Sequence, residues 1–242
     1  MKLLVLMAGP NKLETNDSYP FFLTEVNGKI LLETVIESYL PARFSESIFC
    51  IKKDDIEIYN LDSIIRSIVP NAKIVGVGKT KGSVCTALLA GEYISGDDEL
   101  LVVSSDDFIS SGVEKIINTY RNNEADLGVV YFNSVHPRYS FIRRDSNGSI
   151  CEFTEKKPVS REALVSFWYF RHGSDFIENA ENVIRKGCTV NGAFYMSQSL
   201  NEMLLRQKKI VAVKVESNIF HSFKSERQLA SLITKLSAER EK

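Results

Sequence analysis

Through its first 122 residues the chain alternates short apolar runs with stretches of helical periodicity, and this alternation restricts the fold more than any other feature. Runs of strand length stand at 3–7, 47–51, 73–77 and 99–104. Between them, apolar residues recur at helical spacing over 29–40, 55–69, 83–94 and 111–122. In the first of these, Ile30, Leu31, Val35, Ile36 and Tyr39 gather on one face. Strands separated by helices pair in parallel through right-handed crossovers, so an α/β fold is expected, with a mostly parallel central sheet of Rossmann-like type flanked by helices. From Asp126 the pattern changes. Segments 127–132, 139–144, 149–155 and 163–171 read as strands with no helix between them, and Asn147-Gly148 offers the positive φ of a tight hairpin turn. These predict antiparallel strands added in the second half. Helices return at 174–186 and 194–206, followed by a strand at 210–215 and a last helix from about 224.

The chain has 242 residues, with neither a repeat nor a proline-rich break, so one domain of two halves is expected, 1–125 and 126–242. Thirty Lys and Arg face 31 Asp and Glu, interspersed along the whole chain. That balance argues against a nucleic-acid partner or an anionic membrane surface, which need a basic excess. No segment approaches the roughly 20 apolar residues of a membrane span, and the 3–7 run is too short for a secretory core. A cytoplasmic protein is expected. Cys50, Cys85, Cys151 and Cys188 lie far apart, as buried free thiols of a reducing compartment would. The three histidines lack metal-site spacing.

Five segments carry residues suited to chemistry. The first strand stops at Met7-Ala8-Gly9, and a buried strand feeding a glycine turn presents backbone N–H groups to a phosphate. The strand at 99–104 runs into Ser105-Asp106-Asp107, at the end of a parallel strand where ligands bind. Asp106 there suits a hard cation, although an aspartate pair also caps elements. Gly82-Ser83 opens a helix beside Thr86-Ala87. Glu155-Lys156-Lys157-Pro158 follows the hairpin, and Asn191-Gly192-Ala193-Phe194-Tyr195 precedes or opens a helix. The last of these reads equally well as a helix cap with an aromatic core residue.

In order and content these segments resemble the nucleotidyltransferase family that makes nucleotide-activated sugars. Gly9, Pro20, Leu23, Gly28 and Lys29 match its opening, which continues with Pro-Lys; Phe21 stands where that lysine would be, and the second glycine and the arginine of the loop are absent. The block from Tyr139 to Phe176 is the most specific match. The resemblance implies transfer of a nucleotidyl group from a nucleoside triphosphate to a sugar phosphate or other phosphorylated small molecule, with release of pyrophosphate, in capsule, O-antigen or other surface-glycan synthesis. It makes 1–125 the nucleotide-binding half and 126–242 the acceptor-binding half. It assigns nucleotide contacts to Met7, Ala8, Gly9, Gly82, Ser83 and Ser105, and acceptor contacts to Glu155, Lys156, Asn191 and Tyr195. It implies Mg²⁺ on Asp106, most simply with waters alone and otherwise with Asp107 or His221 as a further ligand, and it is compatible with a homo-oligomer. Lys12 lies near the position of the missing arginine and, with Lys156, is the expected source of positive charge; a solvated loop lysine is the plainer reading. Toward its C-terminus the family's Gly-Thr-Pro-Glu-Asp gives way to Lys224-Ser-Glu-Arg-Gln228.

Two other functions are compatible with the residues. A glycosyltransferase of the same fold would use a ready-made nucleotide-sugar, and the missing loop cations favour it. A non-catalytic binding or regulatory subunit would keep the fold alone, with Phe21 and Phe22 packed down or at an interface.

Overall fold

A computed structural model describes residues 1–9 and 20–240. In chain order the first half contains β1 (Lys2–Leu6), β2 (Glu25–Val26), β3 (Lys29–Ile30), α1 (Leu31–Tyr39), β4 (Glu46–Lys52), α2 (Lys53–Tyr59), α3 (Leu61–Ile68), β5 (Lys73–Val77), α4 (Ser83–Leu88), α5 (Gly91–Ile94), β6 (Leu100–Ser104), β7 (Asp107–Ile109) and α6 (Val113–Asn122). The second half adds β8 (Leu127–Asn133), β9 (Ser140–Arg144), β10 (Ile150–Glu155), β11 (Glu162–Phe170), α7 (Gly173–Arg185), α8 (Met196–Leu205), β12 (Ile210–Lys214), β13 (Phe220–Ser222) and α9 (Glu226–Arg240).

Among the described residues nine strands form one sheet in the order β10-β9-β11-β6-β1-β4-β5, with β8 on β11 and β12 on β8. The strands β6, β1, β4 and β5 pair in parallel, as the alternation predicts. Beyond β6 the sheet turns mostly antiparallel: β11 pairs β6, β8 and β9, and β9 pairs β10, while β12 runs parallel to β8. Leu3, Val5 and Met7 project to one face and pack with Leu31, Val35, Ile117 and Leu232 of the helices there. Leu4 and Leu6 project to the other, against Val84, Phe176 and Leu200. Burial on both sides explains why β1 is an unbroken apolar run rather than an alternating one.

Two expected helices are each two shorter ones. Asn60, left-handed at φ 50°, separates α2 from α3, and the 83–94 stretch breaks between Leu88 and Gly91. The three-residue strands β7 and β13, which pair antiparallel, are absent from the sequence reading because so short a run has no period to detect. All four cysteines are free, but only Cys50 is buried; Cys151 is exposed, on the outer strand β10. That strand is gripped from outside. Asn201 of α8 accepts from the Phe153 amide at 2.8 Å and donates to its carbonyl at 2.9 Å. No helix among the described residues is long and apolar enough to cross a membrane.

Candidate active site

A cavity of about 510 Å³ opens where β1 and β6 end, the edge at which a parallel sheet presents its ligand site. Ala8 and Gly9 beyond β1, and Asp106 beyond β6, form its inner wall. The residues leading into α4 form one flank. Thr80 and Thr86 hydroxyls lie 2.7 Å apart, one donating to the other, and the Gly82 carbonyl, 3.3 and 3.2 Å from them, takes the remaining hydroxyl proton, which ties this turn to itself. Gly82 sits at φ 121° with its α-carbon against the backbone of Phe194, where any Cβ would collide. The Phe194 amide donates to the Lys81 carbonyl at 2.7 Å, so the turn is locked to the approach to α8. Glycine is required at 82 for this chain-to-chain packing.

The opposite flank comes from the second half. Glu155, at the end of β10, accepts from Ser140 Oγ at 2.5 Å and Ser197 Oγ at 2.8 Å. Two hydroxyls thus fix a carboxylate that lines the cavity. Lys156 follows at φ 55°, and its Nζ donates to the Tyr195 hydroxyl at 2.7 Å. Trp168 of β11 closes the back, with its indole N–H buried and unpartnered among the described residues. Arg138 enters from the loop before β9, donating to Gln228 of α9 at 2.6 Å.

At the floor stands a cation that sequence reasoning missed. Lys224 Nζ lies 2.5 Å from Asp107 Oδ2, 3.1 Å from Ser166 Oγ and 3.4 Å from Asp106 Oδ1. Ser104 Oγ donates to the same Asp106 oxygen at 2.6 Å. Burial works against the Lys224 charge, but the carboxylates of Asp106 and Asp107 override it and hold its pKa above the ordinary lysine value. Burial likewise pushes the Asp107 carboxyl up, opposed by Lys224. Lys224 is delivered by backbone pairing: Ser222 opposes Asp107 across β13 and β7, and the Phe223 amide donates to the Asp106 carbonyl at 3.0 Å.

The structure brings together Ala8, Gly9, Gly82, Ser83, Asp106, Glu155, Lys156 and Tyr195 of the expected set. Others do not reach the cavity wall. Met7 is packed in the core, and Ser105 is buried with its amide bonded to the Leu6 carbonyl. Asn191 is exposed at φ 50°, in the turn between Val190 and Ala193. Lys12 falls outside the described residues. Arg138, Ser140, Ser166, Trp168, Ser197 and Lys224 were not singled out from sequence. All but Trp168 are common polar residues whose meaning comes only from long-range pairing.

The expected magnesium ligands do not converge. Mg²⁺ needs a near-octahedral set of oxygens. Asp107 is fully buried beneath the wall and bonded to Lys224 and Ser166. His221 is buried with its ring 4.9 Å from that of Phe108, and burial, with a contribution from Lys235, lowers its pKa to about 4. Asp106 keeps its place on the wall but shares the floor with an ammonium. Among the described residues no three His, Cys, Asp or Glu gather to hold an ion. The donor set does not fit a divalent cation held between the two aspartates.

Comparison with known proteins bears on this geometry. The family model described as nucleotidyl transferase matches residues 15–223. The nucleoside-diphosphate-sugar pyrophosphorylase of Vibrio cholerae RC9 has a similar structure, with a TM-score of 0.80 at 16% identity over 96% of this chain and 99% of that one. A UDP-glucose pyrophosphorylase complexed with UDP-glucose gives 0.76 at 17% identity, over 99% and 98%. HddC from Yersinia pseudotuberculosis, complexed with GMP-PN, gives 0.68 at 15%, over 97% and 98%. At such identities the likeness concerns the fold.

Proposed function

This chain belongs to the nucleotidyl transferase family, and on that footing we propose that it activates a sugar phosphate, or a similar phosphorylated small molecule, with a nucleoside triphosphate. The observation that carries the reading is the charge of the cavity at the sheet's carboxyl edge. Among the described residues Arg138, Lys156 and Lys224 line it with Asp106 and Glu155, three cations against two carboxylates. The cavity therefore suits a polyanion, while the basic loop residues of the family are reduced to Lys12.

In the proposed reaction a phosphate oxygen of the acceptor attacks the α-phosphorus in line. A new P–O bond forms, the bond from the α-phosphorus to the oxygen bridging it to the β-phosphorus breaks, and the electron pair leaves with pyrophosphate. Such transfers depend on positioning and on charge stabilisation rather than on covalent help from the protein. Ala8, Gly9, Gly82 and Ser83 would border the nucleoside, Lys156 would meet the acceptor phosphate, and Glu155 would accept hydrogen bonds from acceptor hydroxyls. Two serines already orient it for that. The family generally works with a divalent cation; no step here is assigned to one. Surface-glycan synthesis, the usual destination of activated sugars, is the proposed context.

The test is pyrophosphate release from CTP, UTP, GTP, dTTP and ATP, each with a panel of sugar 1-phosphates. Release with one triphosphate, strongly reduced in Lys156→Ala, is expected. No release with any pair, together with thermal stabilisation by a nucleotide-sugar alone, would transfer the assignment to glycosyl transfer.

A further inference from the structure

We propose that Lys224 is a built-in substitute for a divalent cation: its ammonium, lodged between Asp106 and Asp107 at the floor of the cavity, supplies the charge that meets the nucleotide's phosphates, and nucleotide binding therefore needs no divalent ion. The proposal rests on the nucleotidyl-transfer reading above and sharpens it at one position.

Three observations carry it. The ammonium lies between the carboxylates that would otherwise gather an ion, 2.5 Å from Asp107 and 3.4 Å from Asp106. A divalent ion bridging both would have to stand almost on top of it, where like charges repel strongly. Second, the lysine is placed by backbone structure: the pairing of Ser222 with Asp107 and the Phe223 bond to the Asp106 carbonyl hold its α-carbon beside the acidic pair. It is a fixed part of the floor. Third, Lys224 and Asp106 line the cavity while Asp107 does not, so the ammonium is presented to a ligand with its nearest carboxylate buried behind it. An ammonium has three donors, and Asp107 with Ser166 engages two of them. A phosphate oxygen can take the remaining direction, in competition with Asp106.

Two measurements test this. Nucleotide-free protein is first titrated with Mn²⁺, and the free ion is followed by electron paramagnetic resonance. Wild type is expected to leave Mn²⁺ free, whereas Lys224→Ala, with its two carboxylates uncovered, should take up one ion. Saturable uptake by wild type would overturn the proposal without any nucleotide present. Calorimetric titration then compares CTP, UTP, GTP, dTTP and ATP in EDTA and in excess Mg²⁺. The cognate triphosphate should bind wild type equally in both; in Lys224→Ala binding in EDTA should weaken by about tenfold or more, with Mg²⁺ restoring it. If Lys224→Ala does not fold, the double variant K224M/D107N removes the buried charge together with its partner, and it too should lose metal-free binding. Wild-type binding that requires Mg²⁺ would sink the proposal and leave the nucleotidyl-transfer reading standing. Silence with every triphosphate under both conditions would remove that reading, and the proposal with it.

Discussion

Lys156 leaves β10 in a left-handed conformation that lysine adopts at a cost of about 1 kcal/mol or more, and it spends that strain on reaching the Tyr195 hydroxyl across the cavity mouth. Strain retained at an exposed residue points to a use other than stability. Lys156→Ala should lower kcat/KM by ~10²–10³, the usual loss when a preorganised charge is withdrawn, with a urea midpoint close to wild type. His221 makes a contrasting case, since its work is packing. Its folded pKa of about 4 lies below the ordinary 6.5, so the ring stays neutral in the fold while the unfolded chain takes up a proton. Stability from this site is intact above pH 6.5, declines as pH falls toward 4 and then levels off, a loss of about 3 kcal/mol at most. His221→Phe keeps a ring against Phe108 and has no proton to bind. Denaturant melts at pH 7 and 4.5 should therefore differ less for the variant than for wild type.

Among the elements, the junction of α4 with the approach to α8 is the most exacting. Gly82→Ala places a methyl group against the Phe194 backbone at a φ that L-residues avoid, and should cost about 2 kcal/mol or more, read as a lowered urea midpoint. The elements also mark how far the sequence could be read. The alternation of runs placed the parallel strands along the chain, and the Asn147-Gly148 turn placed the β9–β10 hairpin, because period and turn chemistry are local. Asp106 was legible for a related reason: a carboxylate at the end of a buried parallel strand has one place to be. Lys224 was not. Its position depends on two three-residue strands that meet from segments more than a hundred residues apart, and nothing local in Phe223-Lys224-Ser225 announces a partner. Gly82 was legible as a special residue, and the structure adds a neighbour that no local pattern names: the backbone of Phe194, which crowds it.

On the scale of the whole molecule, the two halves share their interior. β6 of the first half is hydrogen-bonded to β11 of the second, and each hydrophobic layer draws on both, with Leu3 beside Phe167 and Leu4 beside Phe170 in the same clusters. The cavity likewise takes Asp106 from one half and Glu155, Lys156 and Lys224 from the other. The halves should therefore unfold together. Trp168 is the single tryptophan and sits at the cavity wall, so its fluorescence and far-UV circular dichroism should trace one superimposable transition in urea; two separated transitions would divide the chain into independent domains.

The grip of Asn201 on Phe153 has a consequence for the molecule in a crowded solution. β10 ends the sheet, and an end strand with free amides and carbonyls is a template onto which another chain can add. By answering both backbone groups of Phe153, one side-chain amide does for β10 what a further strand would do, and interrupts the row of docking points at its middle. The edge that leads to Glu155 and Lys156 is in this way made a poorer template for a second chain.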